Sequence, residues 1–382
     1  MTRNKFYKWI YFKYLINLLF RGKKLVDVNE KMITLKGVAI EAEVSLATAS
    51  RVLSNRGYAS EKSKKRVIAA ANKLGYKTNR LARNLKLKYS NTIGLMITDI
   101  INPFYSYLTD GILDCAKKYG YHIIICVTDE DPRQEREYLK VLMEERAAGI
   151  IAVPTGHNQK YWREAIKLGM KLVFVDREVS GISKTDILLV DNIKGAYDAT
   201  SYLIGLGHKR IGIINGPTLT TTGAGRLQGY YQALKEANIP IDEELIEIVT
   251  FKKNSGIAAA ERLISLSTSP TAIFAANNAL GEAVVSVIRS LGLKIQKDIS
   301  LIIFDDVPWA SLIYPRMTVV SQPTHNLGYL GLEMLDRQLK DSNKREKRVN
   351  QKTILMPKLI IRESCAQLKN WLSIYLVDLI YP

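Results

Sequence analysis

Residues 34–53 read TLKGVAIEAEVSLATASRVL, and their apolar spacing predicts two short helices joined by a tight turn. Ser45 opens the second segment, where its hydroxyl can accept a free backbone N–H and cap the helix. The face of that helix turned away from the apolar positions carries Leu46, Ala47, Thr48, Ser50 and Arg51. This is the helix-turn-helix pattern, in which the second helix presents its first residues to base edges. A two-helix hairpin inside an unrelated core is the alternative.

The positive charge of the chain is concentrated around this segment. The 382 residues carry a net charge of +18, of which +16 falls on residues 1–90 and only +2 on the remainder. A basic region on a near-neutral body indicates a polyanionic partner for that region alone, and DNA is the polyanion that a helix-turn-helix binds. A solvated basic face without a partner is the alternative.

A third helix is predicted to complete a minimal core for this region. Ser60 can cap its start, and Gly75 can end it. Its buried face is expected to consist of Val67, Ile68, Ala71 and Leu74.

Residues 79–92 read NRLARNLKLKYSNT and form a basic, polar connection. The segment is too short to be a stable helix by itself in water, but it can fold when DNA and a partner segment are present. Leu85, flanked by Arg83 and Lys86, suits an apolar wedge that opens a base step in the minor groove. A flexible linker with incidental leucines is the alternative.

From Thr92 onward, apolar strand patterns alternate with amphipathic helical patterns. One series of strands begins at Ile93, Ile123, Ile150 and Leu172, and a second at Ile187, Ile211, Ile246, Ala272 and Leu301. Such alternation predicts parallel sheets covered on both faces, with ligands beyond the carboxyl ends of the strands. The predicted fold is a small all-α helix-turn-helix DNA-binding domain followed by a two-lobed α/β core of doubly wound parallel sheets.

The predicted domain boundaries follow these patterns. We assign an N-terminal extension to 1–31, a headpiece to 32–78, a hinge helix or linker to 79–91, a core to 92–365 and a tail to 366–382. Within the core, lobe one is expected to comprise about 92–175 plus 320–345, and lobe two about 176–319 plus 346–362.

The two terminal segments are apolar and supply no recognisable chemistry. Residues 5–20 read KFYKWIYFKYLINLLF and could form a membrane-surface helix, or a signal peptide that lacks a small-residue cleavage site. We favour Met32 as the true start. The tail over 366–382 is interpreted either as an extra helix or as an extension with no role.

The sequence contains no catalytic constellation. The four histidines lack metal spacing, and no nucleophile elbow, P-loop or dinucleotide-binding glycine motif follows a strand. Three scattered cysteines without a CxxC motif fit a reducing cytoplasm. We therefore expect no enzyme, no metal and no cofactor. Arg226 is predicted at the start of a helix, where its charge opposes the helix dipole, so a ligand or an aspartate partner is expected.

In combination, these motifs resemble the LacI/GalR transcriptional repressors over residues 32 to about 364. The stretches that carry the resemblance include TLKGVAIEAEVSLATASRVL, KLGYKTNRLARNLK, IGLMITDIINPFYSYLTDGI, LGHKRIGIINGP, PTAIFAANNAL and ISLIIFDDVPWA. The resemblance implies a homodimer with a helix-turn-helix headpiece, a hinge helix and a core like the periplasmic sugar-binding proteins. Such a protein binds near-palindromic operator DNA, and a small molecule in the cleft changes its DNA affinity.

The resemblance also implies roles for individual residues. Base edges would be read by Leu46, Ala47 and Arg51, and phosphates held by Thr48 and Ser50. The hinge contribution to DNA binding would come from Asn79, Arg83, Leu85 and Lys86. The effector-contact positions are Phe104, Tyr105, Asp176, Arg177, Arg226, Asn277 and Asp305.

The chain departs from the family pattern at several of these positions. Gly37, Glu43 and Ala49 stand where the family usually has Asp, a turn glycine and Val. Glu43 must then adopt a backbone conformation that favours glycine. Thr78 replaces the usual proline, and Asn278 replaces an aspartate, which removes a strong acceptor for sugar hydroxyls.

The sequence thus predicts a cytoplasmic, nucleoid-associated repressor controlled by a small molecule of the sugar or sugar-derived class, with a co-repressor protein as a further candidate partner. The alternatives are an exported solute-binding protein, which would have no use for a basic headpiece, and a membrane-tethered regulator that uses residues 5–20. An enzyme on the same fold would need a base or nucleophile that the sequence does not show.

Overall fold

The computed structural model describes residues 34–54, 57–76, 91–183, 185–341 and 349–368. Backbone contacts divide the chain into two units, one that ends at Lys88 and one that begins at Tyr89.

The first unit is a bundle of three short helices, as predicted. They are α1 (Leu35–Glu41), α2 (Leu46–Ser54) and α3 (Glu61–Leu74). Small apolar side chains fill the space between them, namely Val38, Ala39, Ala42, Ala49, Val67, Ala70 and Ala71. Ile68, which was expected to be buried, is 52% exposed, and Ala70, two residues later, is buried instead.

The ends of these helices are capped as the sequence predicts. The Ser45 hydroxyl accepts the backbone N–H of Thr48 at 3.1 Å, and the Ser60 hydroxyl accepts that of Ser63 at 3.3 Å. Gly75 ends α3 in the left-handed conformation. Glu43 adopts a φ of 48°, so this side chain does occupy a turn conformation that glycine adopts more easily.

The second unit contains two six-stranded sheets. In the first, the strand order is β11-β5-β4-β3-β1-β2 and all pairings are parallel. Its strands are β1 (Thr92–Ile97), β2 (His122–Val127), β3 (Gly149–Ala152), β4 (Lys171–Val175), β5 (Asp186–Val190) and β11 (Lys352–Leu355). Its helices are α4 (Pro103–Tyr119), α5 (Pro132–Glu144), α6 (Gln159–Lys167) and α12 (Thr324–Asp341).

Alternate residues of this first sheet point into two separate cores. Ile151 packs in the core that α4 and α12 cover, whereas its neighbour Ile150 packs in the core that α5 and α6 cover. Because both faces are buried, the strands read as continuous apolar runs rather than as an alternating pattern.

The second sheet repeats this plan in the order β12-β10-β9-β8-β6-β7. Its strands are β6 (Ile211–Asn215), β7 (Ile246–Ile248), β8 (Ala272–Ala275), β9 (Ser300–Phe304), β10 (Thr318–Ser321) and the antiparallel β12 (Lys358–Ile360). Its helices are α7 (Asn192–Gly205), α8 (Thr221–Glu236), α9 (Lys253–Ile264), α10 (Asn278–Ser290) and the short α11 (Pro308–Leu312), with a 3₁₀ turn over Glu243–Leu245. The two-lobed α/β fold predicted from the sequence is confirmed.

The predicted division between the lobes is wrong in two places. The strand over 186–190 was assigned to lobe two, but it pairs in parallel with β4 of the first sheet. The strand over 352–355 was also assigned to lobe two, but it pairs with that same strand, β5. The chain therefore passes between the lobes three times, after β5, β10 and β11. An apolar run identifies a strand, but the sheet that it joins depends on partners far away in the sequence.

Glycines bring one pair of helices unusually close in each lobe. A Cβ atom on Gly111 of α4 would lie 1.9 Å from the carbonyl oxygen of His325 at the start of α12. A Cβ atom on Gly229 of α8 would lie 2.2 Å from the carbonyl oxygen of Ile193 in α7. Only glycine permits either approach, which sets the position of the helices that begin at the cleft.

Candidate ligand cleft and DNA-reading helix

The strand ends of the two sheets face a common cleft within the second unit. About 470 Å³ of empty space lies in the cleft when the part open to solvent is counted. All seven predicted effector-contact residues line it, namely Phe104, Tyr105, Asp176, Arg177, Arg226, Asn277 and Asp305. The structure therefore brings these residues together, and their contact with an effector stays a prediction.

A buried ion pair occupies the side of the cleft formed by lobe one. The Arg177 guanidinium, 3% exposed, donates from Nη1 and Nη2 to the two carboxylate oxygens of Glu130 at 2.8 and 2.9 Å. Burial disfavours the charged carboxylate, but the Arg177 charge outweighs that cost and lowers the pKa of Glu130. Because this bidentate pair is internally neutral, it leaves little of the Arg177 charge for a ligand.

Asp176 follows β4 and keeps an oxygen without a hydrogen-bond partner. Its backbone has a φ of 67°, and its side chain is buried. Oδ2 lies 3.6 Å from Nε of Arg177, while Oδ1 has no hydrogen-bond partner among the described residues. Burial raises the pKa of Asp176 to about 6, although the positive charges of Arg177 and Arg226 oppose the rise.

Asp305 follows β9, and its carboxylate is fully engaged by amides. Oδ1 accepts from Gln322 Nε2 at 2.6 Å. Oδ2 accepts from the backbone N–H of Asn278 at 3.2 Å and from its Nδ2 at 3.0 Å. The carboxylate of Asp305 is therefore held in place by protein donors from two directions.

Arg226 is buried in lobe two and binds neutral oxygens. Its helix α8 begins at Thr221, so Arg226 lies in the second turn, and the predicted placement at a helix start is wrong. Nε donates to Asn192 Oδ1 at 2.8 Å, and Nη1 donates to the backbone carbonyl of Ala276. The guanidinium stacks 3.8 Å from the Phe304 ring centroid.

The charges nearest to Arg226 lie too far away for a direct ion pair. Among the described residues, no carboxylate oxygen lies within 4.0 Å of its guanidinium, so the expected aspartate partner is not in direct contact. Burial lowers the pKa of Arg226, and the more distant Asp305 and Asp176 oppose that shift. An arginine nevertheless keeps its proton in proteins, so the cleft contains a buried cation without a paired anion.

Aromatic rings form the apolar part of the cleft. Asn102 caps α4 by accepting the backbone N–H of Phe104 at 3.0 Å, and the Phe104 and Tyr105 rings pack edge to face at 5.1 Å. Phe251, which the sequence analysis missed, lies with its ring centroid 5.5 Å from Arg177 and 5.7 Å from Arg226. It follows the short strand β7, so the same search of strand ends could have found it.

Several other polar residues of the cleft were also missed. Lys252 of lobe two reaches Asp129 of lobe one at 2.9 Å across the mouth. Asn277, which was predicted to contact an effector, uses its side-chain oxygen to cap α10 by accepting the Leu280 N–H at 2.8 Å. The Glu130 partner of Arg177 lies in the loop after β2 and was not considered. Lys252 and Glu130 are distant in sequence from the residues that they bind.

In the first unit, α2 presents the predicted base-reading side chains to solvent. Leu46 is 52% exposed, and Ala47 and Arg51 are also exposed. Arg51 Nε donates to the Ala47 carbonyl at 3.3 Å, and the Thr48 hydroxyl lies 2.9 Å from that of Ser45. Ser50 is half-buried. The predicted hinge contacts lie outside the described residues, and these are Asn79, Arg83, Leu85 and Lys86.

Outside the cleft, one group of side chains has the composition of a metal site. Asp110, Asp114 and His325 are exposed, with their ligand-type atoms within 4.8 Å of one another. His325 Nε2 lies 3.3 Å from Asp114 Oδ2, which an ordinary surface ion pair explains.

Comparisons with known proteins agree with these two parts. The model of bacterial regulatory proteins of the lacI family matches residues 34–79, and that of the periplasmic binding protein-like domain matches residues 200–365. The HTH-type transcriptional regulator DegA of Bacillus subtilis is 35% identical over 340 residues, which cover 88% of this chain and 99% of DegA.

Two solved structures show the same architecture. The transcriptional regulator CelR in complex with cellobiose has a TM-score of 0.66 and 27% identity, and the match covers 87% of this chain and 99% of that chain. The lac repressor dimer bound to operator and the anti-inducer ONPF has a TM-score of 0.75 and covers 88% of this chain and 100% of that chain. At 24% identity, this second likeness shows the fold alone.

A three-helix unit with an exposed second helix and a bilobed core with a polar cleft together define a DNA-binding transcriptional regulator with a ligand-binding core. The chain belongs to the LacI family of bacterial regulatory proteins. The relatives lend no support to an exported solute-binding protein. Within the described residues, no helix combines the length and the apolar character needed to cross a membrane.

Proposed function

We propose that this protein is an operator-binding repressor, active as a homodimer in the cytoplasm, whose DNA affinity is controlled by an uncharged sugar or sugar-like effector bound between the lobes. The observation that carries the proposal is the Asp176 carboxylate, which is buried at the cleft with one oxygen unpartnered. A buried acceptor of this kind is costly unless a donor meets it. A bound hydroxyl or N–H group supplies that donor.

The remaining polar groups of the cleft support the same ligand chemistry. Gln322 Oε1 is a second buried acceptor, and it has no hydrogen-bond partner in the part of the chain that the structure describes. The Arg177–Glu130 and Lys252–Asp129 pairs are each internally neutral, and the negative charges of Asp305 and Asp176 balance the buried Arg226 at longer range. A ligand that donates at least two hydrogen bonds and can pack against the aromatic rings therefore fits, and a sugar ring offers both features. The solved structure of CelR with cellobiose supports this class of ligand.

For the DNA side, the proposal assigns base contacts to Leu46, Ala47 and Arg51. The Arg51 fork can pair with guanine O6 and N7, whereas Leu46 and Ala47 can only make apolar contacts. Thr48 and Ser50 are proposed to hold phosphates. The hinge roles of Asn79, Arg83, Leu85 and Lys86, and control by a co-repressor protein, belong to the same proposal. A regulator of this kind needs no catalytic step.

A ligand screen and a DNA titration test the two halves together. The full chain is first heated with neutral sugars, sugar phosphates and nucleosides, and a neutral sugar is expected to raise the melting temperature with increasing concentration. Operator duplexes selected from random DNA are then titrated with and without that sugar. We expect the sugar to change operator affinity by a coupling of about 1–3 kcal/mol.

Two variants test effector binding and DNA recognition separately. Asp176→Asn should abolish the thermal shift and leave operator binding intact. Arg51→Ala should lose discrimination at one base pair per half-site, while Lys62→Ala on the exposed side of α3 changes all duplexes equally or not at all. A thermal shift that the sugar phosphates produce and that survives in the Asp176→Asn variant contradicts the proposed effector class.

A further inference from the structure

The side chain of Asn278 connects the two lobes through the interior of the cleft. Its Nδ2 lies 3.0 Å from Asp305 Oδ2 in its own lobe and 2.9 Å from Asn102 Oδ1 in lobe one. Asn278 is 4% exposed, so water does not compete strongly for these hydrogen bonds. An NH₂ group has two hydrogens, and this geometry uses one on each lobe.

The chemistry of the neighbours fixes the orientation of both amides. If the Asn278 amide were turned over, its oxygen would face the Asp305 carboxylate and the Asn102 oxygen, both of which are acceptors. The Asn102 oxygen is itself identified by its second contact, since it accepts the backbone N–H of Phe104 at 3.0 Å. The bridge therefore joins an anchored carboxylate of lobe two to the capped start of α4 in lobe one.

We propose that Asn278 is a positioning residue that holds the two lobes closed through this bridge and thereby sets the affinity of the cleft for its ligand. The inference deepens the proposed function and rests on it for the identity of the ligand. All atoms of the bridge belong to the chain, so closure by this route needs no contact from a ligand. Loss of the bridge reduces the closed fraction and weakens the apparent affinity in proportion.

The other polar contact across the mouth provides a matched control. Lys252 and Asp129 also connect the lobes, but their side chains are 49% and 73% exposed. An exposed ion pair contributes little to stability, whereas a buried hydrogen bond to a charged group contributes more. Removal of Lys252 should therefore leave the lobes closed, and removal of the Asn278 amide should open them.

Spin-label distances across the cleft mouth test the proposal without any ligand. Nitroxides are attached to Gln134→Cys in lobe one and Asn254→Cys in lobe two, both of which are exposed positions. The native cysteines are buried, and these are Cys115, Cys126 and Cys365. Full-chain labelled protein is diluted with unlabelled protein, so that electron paramagnetic resonance reports only the distance within one chain.

We expect Asn278→Ala and Asn278→Asp each to lengthen this distance, and Lys252→Ala to leave it unchanged. In Asn278→Asp, the new carboxylate lies between two other acceptors, Asp305 and Asn102, so the bridge cannot form. Asn278→Ala removes the side-chain amide but keeps the backbone N–H bond to Asp305. Alanine is also compatible with a helix start, so the fold should be preserved. Melting temperatures confirm that each variant is folded. Unchanged distances in both Asn278 variants overturn the proposal, as does opening by Lys252→Ala to the same extent.

Ligand titration then distinguishes this inference from the proposed function. With the neutral sugar that stabilises the unsubstituted protein, Asn278→Ala should bind about tenfold more weakly. Unaltered sugar affinity in a protein whose lobes have opened also overturns the inference. If no sugar binds the unsubstituted protein, the proposed effector class fails, while the distance measurement still decides the bridge.

Discussion

The two lobes use the same backbone arrangement to present an aspartate to the cleft, yet the two aspartates differ in their surroundings. Asp176 follows β4 and Asp305 follows β9, which occupy the same place in the order of their sheets. Both residues have a positive φ, of 67° and 82°, and each backbone N–H donates at 2.9 Å to a carbonyl of the adjoining strand. The Asp305 carboxylate binds three protein donors, whereas the Asp176 carboxylate keeps one oxygen unpartnered.

This difference shows that position in the fold does not decide what a side chain does. A left-handed φ is unfavourable for a residue other than glycine, and two such aspartates at equivalent strand ends indicate a shared framework. The amides of Asn278 and Gln322 make Asp305 a structural anchor. The charged surroundings of Asp176 satisfy it only in part, which leaves it suited to a ligand.

The largest expected effect is the loss of stability when the close helix–helix contact in either lobe is disrupted. This loss should be similar in the two lobes. Gly111→Ala would place a methyl group 1.9 Å from a carbonyl oxygen of the neighbouring helix, and Gly229→Ala would place one at 2.2 Å. Backbone cannot move aside as a side chain can, so we expect each variant to lose at least about 3 kcal/mol of unfolding free energy. Urea unfolding followed by circular dichroism measures the loss.

Gly205→Ala is the matched control for both glycine variants. It lies at the end of α7 with no atom within 4 Å of the added methyl group, so stability should be unchanged or slightly higher. A loss below about 1 kcal/mol for Gly111→Ala would mean that α4 and α12 separate easily. A large loss in one lobe only would show that the two lobes are not equivalent in their framework.

A second prediction separates the two aspartates by stability. Asp305→Asn puts an NH₂ group among donors that need acceptors, and we expect a loss of about 2 kcal/mol because at least one buried N–H is left unpaired. Asp176→Asn disturbs no donor that the structure shows bonded to it, so it should cost less than about 1 kcal/mol at neutral pH. Urea unfolding of both variants under the same conditions makes the comparison. Equal losses would contradict the distinction between anchor and ligand group.

The local features of the fold could be predicted from the sequence, while the long-range ones could not. The caps at Ser45, Ser60 and Gly75 and the left-handed turn at Glu43 depend on a few neighbouring residues, and the structure confirms them. The assignment of 186–190 to lobe two failed because a strand of continuous apolar residues can enter either sheet. Its partner β4 is recognised only when the fold has formed.

The same distinction explains what was found of the cleft. The rule that ligand-binding residues follow the strands located all seven predicted residues, but it did not reveal how they are paired. Glu130 neutralises Arg177 from 47 positions away, and Asn278 meets Asn102 across 176 positions. Charge neutralisation and bridging of this kind arise from tertiary contact, and no spacing in the sequence encodes them.

Asp176 alone should make the stability of the protein depend on pH. Burial raises the pKa of Asp176 from 3.8 to about 6, so the folded protein binds a proton more tightly than the unfolded chain does. Stability from this group is therefore complete below about pH 4 and is lost as the pH rises through 6. Asparagine mimics the neutral acid and does not titrate. The unfolding free energy of Asp176→Asn relative to the unsubstituted protein should thus increase by about 2 kcal/mol between pH 4 and pH 7.

Urea unfolding at half-unit pH steps, with Asp176→Asn and the unsubstituted protein in one buffer series, measures this dependence. If the relative stability of Asp176→Asn stays flat or falls as the pH rises, the Asp176 carboxylate is as well satisfied as that of Asp305. In that case, the contrast between the two lobes lies in geometry alone.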